Sequence, residues 1–306
     1  MSVYEVGPRD GLQNEVKALP TEDKVRLIHA LMDAGLKRIE ATSFVSPKWI
    51  PQVADAAEVM AKVERRPGVV FSALVPNLKG LERAVDTGLH EACVFLSVTE
   101  GHSKKNINKS VAEAVETAIE TAAAARKAGL RVRAYLSCVW GCPYEGRVTT
   151  RQVVNVAKQL LEIDMYQLAL GDTIGVGVPT QTVEILQALY EWYPKEKIGL
   201  HFHDTRGTAL ANALVGLQQG ITSLDSSIGG LGGCPYAPGA AGNLATEDLV
   251  YMLHGMGYET GVVMEDLVGA GELAQNLIGR KLTGKYLQAA IGTREKKRAA
   301  KIRAQS

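Results

Sequence analysis

The sequence predicts an α/β fold, a closed (β/α)8 or TIM barrel of eight strands, with a C-terminal helical extension. Short apolar runs of β-forming residues alternate with longer segments of helical period, and eight such runs can be counted. No predicted strand is followed by a G-x-G-x-x-G turn, which disfavours the alternative of an open doubly wound sheet. We therefore expect a single domain, residues 1–306, because barrels commonly exceed ~250 residues as one domain.

The predicted elements alternate along the chain. The strands cover residues 3–6, 37–41, 69–75, 91–98, 131–138, 166–170, 198–202 and 222–228. The helices between them begin near residues 22, 50, 78, 110, 150, 180 and 208, several of them at a capping Ser, Thr or Pro. The barrel then occupies about residues 3–243, and C-terminal helices, at 245–256 and 264–280, and a basic tail occupy about residues 244–306.

The segment after the eighth predicted strand is too irregular for an ordinary connection. Residues 229–243 contain six glycines and two prolines. Such a composition predicts a loop with no repeating structure at the end of the barrel where the strands terminate.

Composition and charge exclude two classes of partner. The net charge is +1, so there is no overall electrostatic attraction to nucleic acid or to a membrane surface. No apolar run approaches the ~18–20 residues of a membrane span. Four cysteines, without an apolar leader ahead of the first strand, predict free thiols in a reducing cytoplasm.

Ionisable and polar side chains recur at one end of the predicted strands. In this kind of barrel the active site lies at the C-terminal ends of the strands. The side chains follow strands one, two, six, seven and eight and are, in that order, Arg9 and Asp10, Glu40, Asp172, His201 and His203, and Cys234 and Asn243. Their shared position predicts an active site there.

His201 and His203 lie two residues apart on a predicted strand, so both imidazoles point to the same side and can reach one ion. Asp10 at the equivalent end of strand one adds an oxygen ligand. A partly open oxygen and nitrogen shell favours Mg²⁺ or Mn²⁺ over structural zinc. The competing interpretation is a pair of ordinary barrel histidines.

The turn that carries Arg9 presents a guanidinium from a fixed backbone, because Pro8 precedes it and Gly11 follows. Arg9 could stabilise an oxyanion, or it could form a structural salt bridge with Glu40 or Asp172. The two carboxylates face the same choice, since buried acids commonly pair with arginine. The sequence leaves both interpretations open.

Two copies of Gly-Cys-Pro-Tyr make the choice of a reactive thiol ambiguous. One contains Cys142, after the fifth strand, and the other contains Cys234, in the glycine-rich loop. Spacing cannot decide between them, and a buried inert cysteine is the commoner outcome.

Several motifs resemble those of 3-hydroxy-3-methylglutaryl-CoA lyases, over nearly the whole chain. They are the residues RDGLQNE at 9–15, TSFVSPKW at 42–49, KNIN at 105–108, LGDTIG at 170–175 and GGCPY at 232–236. The first motif and the H-x-H-D at 201–204 also occur in the related isopropylmalate and homocitrate synthases, whereas GGCPY is more specific to the lyases.

The resemblance implies a function and a set of roles. The reaction would be the metal-dependent retro-Claisen cleavage of 3-hydroxy-3-methylglutaryl-CoA to acetyl-CoA and acetoacetate, as in leucine degradation, by a homodimer. The cation ligands would be Asp10, His201, His203 and Asn243; the catalytic residues would be Arg9, Glu40, Asp172, His201 and Cys234; and the residues that bind the acyl-CoA substrate would be Arg9, Gln13, Ser43, Arg280 and Lys281.

Three departures from the animal enzymes bear on substrate range. Ala169 replaces a serine, Arg206 replaces a tyrosine, and Gly279 replaces an asparagine in the segment that contacts CoA in the family. A lyase for longer 3-hydroxy-3-alkylglutaryl-CoA substrates is therefore an alternative. A condensing synthase is another, although such enzymes usually carry a further C-terminal domain, and a scaffold without activity is the least favoured.

Overall fold

The computed structural model describes residues 1–232 and 242–305, and for residues 302–305 it describes the backbone alone. Eight parallel strands close into a barrel in the order β1-β8-β7-β6-β5-β4-β3-β2, so the predicted fold class is confirmed. The strands are β1 (Ser2–Glu5), β2 (Arg38–Ser43), β3 (Val70–Leu74), β4 (Glu91–Ser97), β5 (Arg131–Ser137), β6 (Gln167–Asp172), β7 (Ile198–Phe202) and β8 (Ser223–Ser226).

Helices cover the barrel and extend it at the C-terminus. They are α1 (Thr21–Asp33), α2 (Ala56–Lys62), α3 (Leu78–Ala84), α4 (Glu100–Ile107), α5 (Val111–Lys127), α6 (Thr150–Gln159), α7 (Pro179–Leu189), α8 (Ala209–Gln218), α9 (Thr246–Gly255), α10 (Met264–Ile278) and α11 (Lys285–Gln305). In the described part of the chain no helix combines the length and the apolar character that a bilayer crossing requires.

Helix α6 shows how the sequence encodes the outer layer. Thr149 caps the helix, and its side chain and that of Gln152 form a reciprocal capping box. Val153, Val156 and Ala157 follow at helical spacing and are buried. The helix therefore buries one apolar stripe against the barrel and leaves its other faces in water.

Three predicted elements are wrong in their extent. Strand β2 does not end near Glu40 but continues to Ser43, with an irregularity in its pairing to β3 between Glu40 and Thr42, so Glu40 lies inside the barrel wall. The helix expected near residue 50 begins only at Ala56, after a 3₁₀ turn at Pro51–Val53. The segment expected to be a basic tail is helix α11, whose residues 295–301 are exposed and carry no apolar stripe.

A single turn of π-helix, Gly7–Gly11, positions the start of the site directly after β1. The backbone N–H groups of Arg9, Asp10 and Gly11 all donate to the carbonyl oxygen of Val6, at 3.1, 2.7 and 3.3 Å. A Cβ atom on Gly11 would lie 2.8 Å from Cβ of Leu231, so only glycine fits. The turn therefore holds Arg9 and Asp10 rigidly over the barrel.

Candidate metal centre and active site

Asp10, His201 and His203 meet at the C-terminal end of the barrel. Each offers one ligand atom, and these atoms lie within 4.8 Å of one another. Oδ2 of Asp10 lies 3.9 Å from Nε2 of His201 and 3.6 Å from Nε2 of His203. His201 lies on β7 and His203 directly after it, and the expectation that the two histidines lie on one side and face Asp10 is confirmed.

Asn243 joins this group from the far side of the β8 loop. It pairs with His203 in an isolated bridge, and its side-chain amide donates to Oδ2 of Asp10 at 2.8 Å. Its Oδ1 atom is buried and finds no partner within the described residues, and neither does Nδ1 of His203. Because a buried acceptor without a partner is costly, the Oδ1 atom of Asn243 fits a site completed by a cation. The arrangement therefore suits a divalent ion bound by oxygen and nitrogen.

Arg9 bridges the metal ligand and a buried carboxylate. Its NH1 donates to Oδ1 of Asp10 at 2.6 Å, and its Nε donates to Oε2 of Glu40 at 2.7 Å. Glu40 is fully buried and its second oxygen has no partner within the described residues. Burial would raise the pKa of Asp10, but Arg9 outweighs it, with help from His203 and His201, and holds that pKa well below its usual range.

The salt bridge of Arg9 is thus real, and its partner is Glu40. This pairing does not remove the guanidinium from the site, because Arg9 also contacts Asp10, one of the candidate cation ligands. A planar guanidinium with several donors can pair with Glu40 and still offer N–H groups to a substrate. The two interpretations of Arg9 are therefore compatible.

Asp172, the last residue of β6, has a different environment. Its oxygens accept from the backbone N–H groups of Val176 and Gly177, at 3.0 and 2.8 Å. Burial raises its pKa above the usual range, although these N–H groups and the nearby His203 oppose the shift. Asp172 shapes the β6 loop, and of the two carboxylates considered as partners for Arg9 it is Glu40 that forms the salt bridge.

The four residues predicted to bind substrate besides Arg9 do not all lie beside the metal centre. Gln13 lies in the site, where its amide donates to Oδ1 of Asp10 at 3.2 Å, whereas the Ser43 hydroxyl accepts from the backbone of Val45 at 3.3 Å. Arg280 pairs with Glu15 at the edge of the barrel, and Lys281 is exposed beside it. The Arg280 side chain thus lies close to the loop that follows β1.

The two candidate cysteines can be compared only in part. Cys142 is buried and its sulfur accepts from the Thr99 hydroxyl at 3.1 Å and from the Tyr144 backbone at 3.4 Å. These contacts agree with the structural role expected for it. Cys234 lies outside the described residues.

Sequence reasoning missed a buried network beneath the metal ligands. Asp225 of β8 lies 3.2 Å from Nδ1 of His201 and pairs with Arg133 of β5, and Arg133 donates to the Tyr135 hydroxyl at 2.6 Å. Tyr135 in turn donates to Glu40 at 3.1 Å. Asp225 and Arg133 are charged residues inside predicted strands, but the sequence does not show that they pair.

Fold and site together define a (β/α)8-barrel enzyme with a candidate divalent-cation site at the C-terminal end of the barrel. The sequence matches the model of the HMGL-like family over residues 1–274. The chain belongs to this family and is a carbon–carbon lyase.

Similar proteins agree with this assignment. The chain is 51% identical over 288 residues to the hydroxymethylglutaryl-CoA lyase of Bacillus subtilis, covering 94% of this chain and 96% of that protein. The crystal structure of the Bacillus subtilis HMG-CoA lyase superposes with a TM-score of 0.92 at 51% identity, covering 94% of this chain and 97% of that one.

Two further relatives carry information about ligands. A Pseudomonas aeruginosa 3-hydroxy-3-isohexenylglutaryl-CoA/hydroxymethylglutaryl-CoA lyase is 50% identical over 278 residues, covering 91% of this chain and 93% of that protein. An Acinetobacter baumannii HMG-CoA lyase, solved in complex with coenzyme A and 3-methylmalate, has a TM-score of 0.90 at 35% identity and covers 94% of each chain.

Proposed function

We propose that this lyase cleaves 3-hydroxy-3-methylglutaryl-CoA to acetyl-CoA and acetoacetate in a retro-Claisen reaction that depends on a divalent cation. The observation that carries the proposal is the meeting of Asp10, His201 and His203 beside the Arg9 guanidinium. A cation site next to a fixed positive charge suits a reaction that ionises a hydroxyl and develops negative charge on a thioester oxygen. The names of the relatives agree with this substrate.

The cation proposed is Mg²⁺ or Mn²⁺, held by Asp10, His201, His203 and Asn243. One carboxylate, one amide and two imidazoles form a mixed shell that these ions accept. When bound, the cation makes the substrate hydroxyl more acidic and orients it.

The remaining polar groups of the site are proposed to stabilise charge and to transfer protons. Arg9 offsets the negative charge that grows on the thioester oxygen, and its hydrogen bonds to Glu40 and Asp10 hold it in place before the substrate arrives. Glu40 and Asp172 are proposed to support proton transfer, and Cys234 is proposed as the catalytic thiol. Gln13, Ser43, Arg280 and Lys281 are proposed to bind the acyl-CoA.

We further propose a cytoplasmic homodimer in a pathway of the leucine-degradation type. The compartment is inferred from Cys93, Cys138 and Cys142, all free thiols in the described residues. The dimer rests on family resemblance and is checked by sedimentation.

The direct test uses purified chain, 3-hydroxy-3-methylglutaryl-CoA, Mg²⁺ and a reductant. The expected products are acetyl-CoA and acetoacetate in equal amounts, with turnover abolished by EDTA and restored by added Mg²⁺ or Mn²⁺. Cleavage that persists undiminished in EDTA would contradict the metal dependence. A parent protein that forms neither product would contradict the substrate.

A longer 3-alkyl substituent is a second candidate substrate, favoured by one feature of the barrel. Leu74, Cys93, Tyr135 and Ala169 form a small apolar cluster separate from the main core, with Phe95 packed against it and only partly buried. Phe95 pairs in register with Tyr135, whose ring meets that of His201 edge-on at 5.9 Å, so this cluster borders the metal centre.

An apolar wall beside the cation site could receive a substituent on the carbon that bears the hydroxyl. Phe95→Ala should raise kcat/KM for a 3-hydroxy-3-hexylglutaryl-CoA relative to the methyl substrate. Val94→Ala, one residue along the same strand and facing the other way, is the matched control. An unchanged ratio in Phe95→Ala would exclude this wall as the alkyl site.

A further inference from the structure

Asp225 is a fully buried carboxylate in the barrel interior that contacts a metal ligand without reaching the metal centre itself. Its Oδ2 atom lies 3.2 Å from Nδ1 of His201, and register pairs the two residues directly across β8 and β7. The other ring nitrogen of His201, Nε2, faces Asp10. The two nitrogens of one imidazole thus have different partners.

Arg133 fixes the orientation of that carboxylate. Its NH2 donates to Oδ1 of Asp225 at 2.7 Å and its NH1 donates to Oδ2 at 3.0 Å, in a two-pronged pair whose members are both inaccessible to solvent. Nε of Arg133 is held in turn by Gln167 at 2.8 Å. Asp225 therefore cannot rotate away from His201 without breaking a buried ion pair.

We propose that Asp225 is a positioning residue for the metal centre: it accepts the proton on Nδ1 of His201 and so keeps the unprotonated Nε2 facing the cation. An imidazole binds a cation only through a nitrogen that carries no proton, and the partner of the other nitrogen decides which one that is. A carboxylate can only accept, so its presence at Nδ1 selects this form of the ring.

The same network of hydrogen bonds extends from Asp225 to Glu40 and Arg9. Arg133 also donates to the Tyr135 hydroxyl, and Tyr135 donates to Oε2 of Glu40, the atom that receives Arg9. Asp225 and Glu40, the carboxylates behind His201 and Arg9, are thereby held by one buried chain of hydrogen bonds. The chain aligns the metal ligand and the guanidinium with each other.

The inference rests on the proposed function, and Mn²⁺ titration followed by electron paramagnetic resonance separates the two. The variant is Asp225→Asn, which is nearly equal in shape but can turn an N–H donor towards Nδ1. The matched control is Glu91→Gln, because Glu91 is also buried in the barrel interior, pairs with Arg38 at 2.7 Å and contacts none of the metal residues.

We expect Asp225→Asn to weaken Mn²⁺ binding by roughly ten- to a hundredfold, the usual effect of removing such an outer partner, and Glu91→Gln to retain the parent affinity. Parental affinity in a folded Asp225→Asn protein overturns the inference and leaves the proposed function standing. A parent protein that binds no Mn²⁺ overturns both. An equal loss in both variants also overturns the inference, since it points to general damage to the barrel interior.

A measurement on the parent protein applies even if Asp225→Asn does not fold. ¹⁵N-labelled histidine distinguishes the two neutral forms of an imidazole by the shifts of its nitrogens, and the His201 signals are assigned by their absence in His201→Asn. We expect the proton of His201 on Nδ1 in the cation-free parent at pH 8. A proton found on Nε2 overturns the inference.

Discussion

At the scale of single residues, the predicted ligands Asp10, His201 and His203 were accessible to sequence reasoning because strand periodicity fixes which side chains share a face. Asp225 was not, since its ion pair with Arg133 joins β8 to β5, 92 residues earlier in the chain. The choice between a catalytic and a structural Arg9 also needed coordinates, which show that a salt bridge to Glu40 leaves the guanidinium beside the metal ligands.

Replacing Arg9 with glutamine should lower kcat while leaving KM nearly unchanged. A preorganised guanidinium acts mainly on charge that develops during the reaction, and losing one such contact typically costs ~2.7 to 4 kcal/mol, about a hundred- to a thousandfold in rate. Arg9→Lys should recover little of the loss, because an ammonium cannot reproduce the planar fork. Steady-state kinetics provides the measurement. A raised KM with parental kcat would show that Arg9 only docks the substrate.

At the scale of elements, the strands were predicted well because each is a short apolar run with clear ends. The second and the eighth are the exceptions, since β2 continues to Ser43 and β8 covers only Ser223–Ser226 of the expected residues 222–228. Helix α11 was missed because residues 295–301 are exposed and mostly charged, so no apolar stripe marks this part as helical. The irregularity in β2 that places Glu40 inside the wall has no signature in the local sequence.

The two Gly-Cys-Pro-Tyr motifs allow an internal control for the proposed thiol. Cys234→Ser should lose most turnover and keep its Mn²⁺ affinity, whereas Cys142→Ser should remain substantially active, because Cys142 is buried among Thr99 and the Tyr144 backbone. Iodoacetamide labelling followed by mass spectrometry provides a second measurement, and bound substrate should slow the labelling of Cys234. Loss of activity in step with labelling of Cys142 would reverse the assignment.

At the scale of the whole molecule, buried carboxylates outside the metal centre link stability to pH. Burial raises the pKa of Glu5 to about 7 and that of Glu247 to about 8, from an ordinary 4.5. The folded protein therefore binds more protons than the unfolded chain above pH 4.5. Their contribution to stability is fully present below that pH and is lost as the pH rises towards 8.

Glu247→Gln should remove part of this dependence, since the amide stays neutral and can still accept from the backbone N–H of Gly229 as Glu247 does. We expect its Tm to exceed that of the parent by roughly 2 to 6 °C at pH 8, with the difference shrinking towards pH 5. Calorimetry across this range tests it, with Glu265→Gln as the control because that side chain is 86% exposed. A difference that grows as the pH falls would have the wrong sign.

Titration with Mn²⁺ tests the central claim most directly, because the proposed chemistry depends on a cation at Asp10, His201, His203 and Asn243. The proteins compared are the parent, His203→Ala and His254→Ala, whose histidine is exposed and pairs with Thr260. We predict that His203→Ala weakens binding by about tenfold or more and that His254→Ala matches the parent. If His203→Ala holds Mn²⁺ as tightly as the parent, the metal centre has been assigned to the wrong residues.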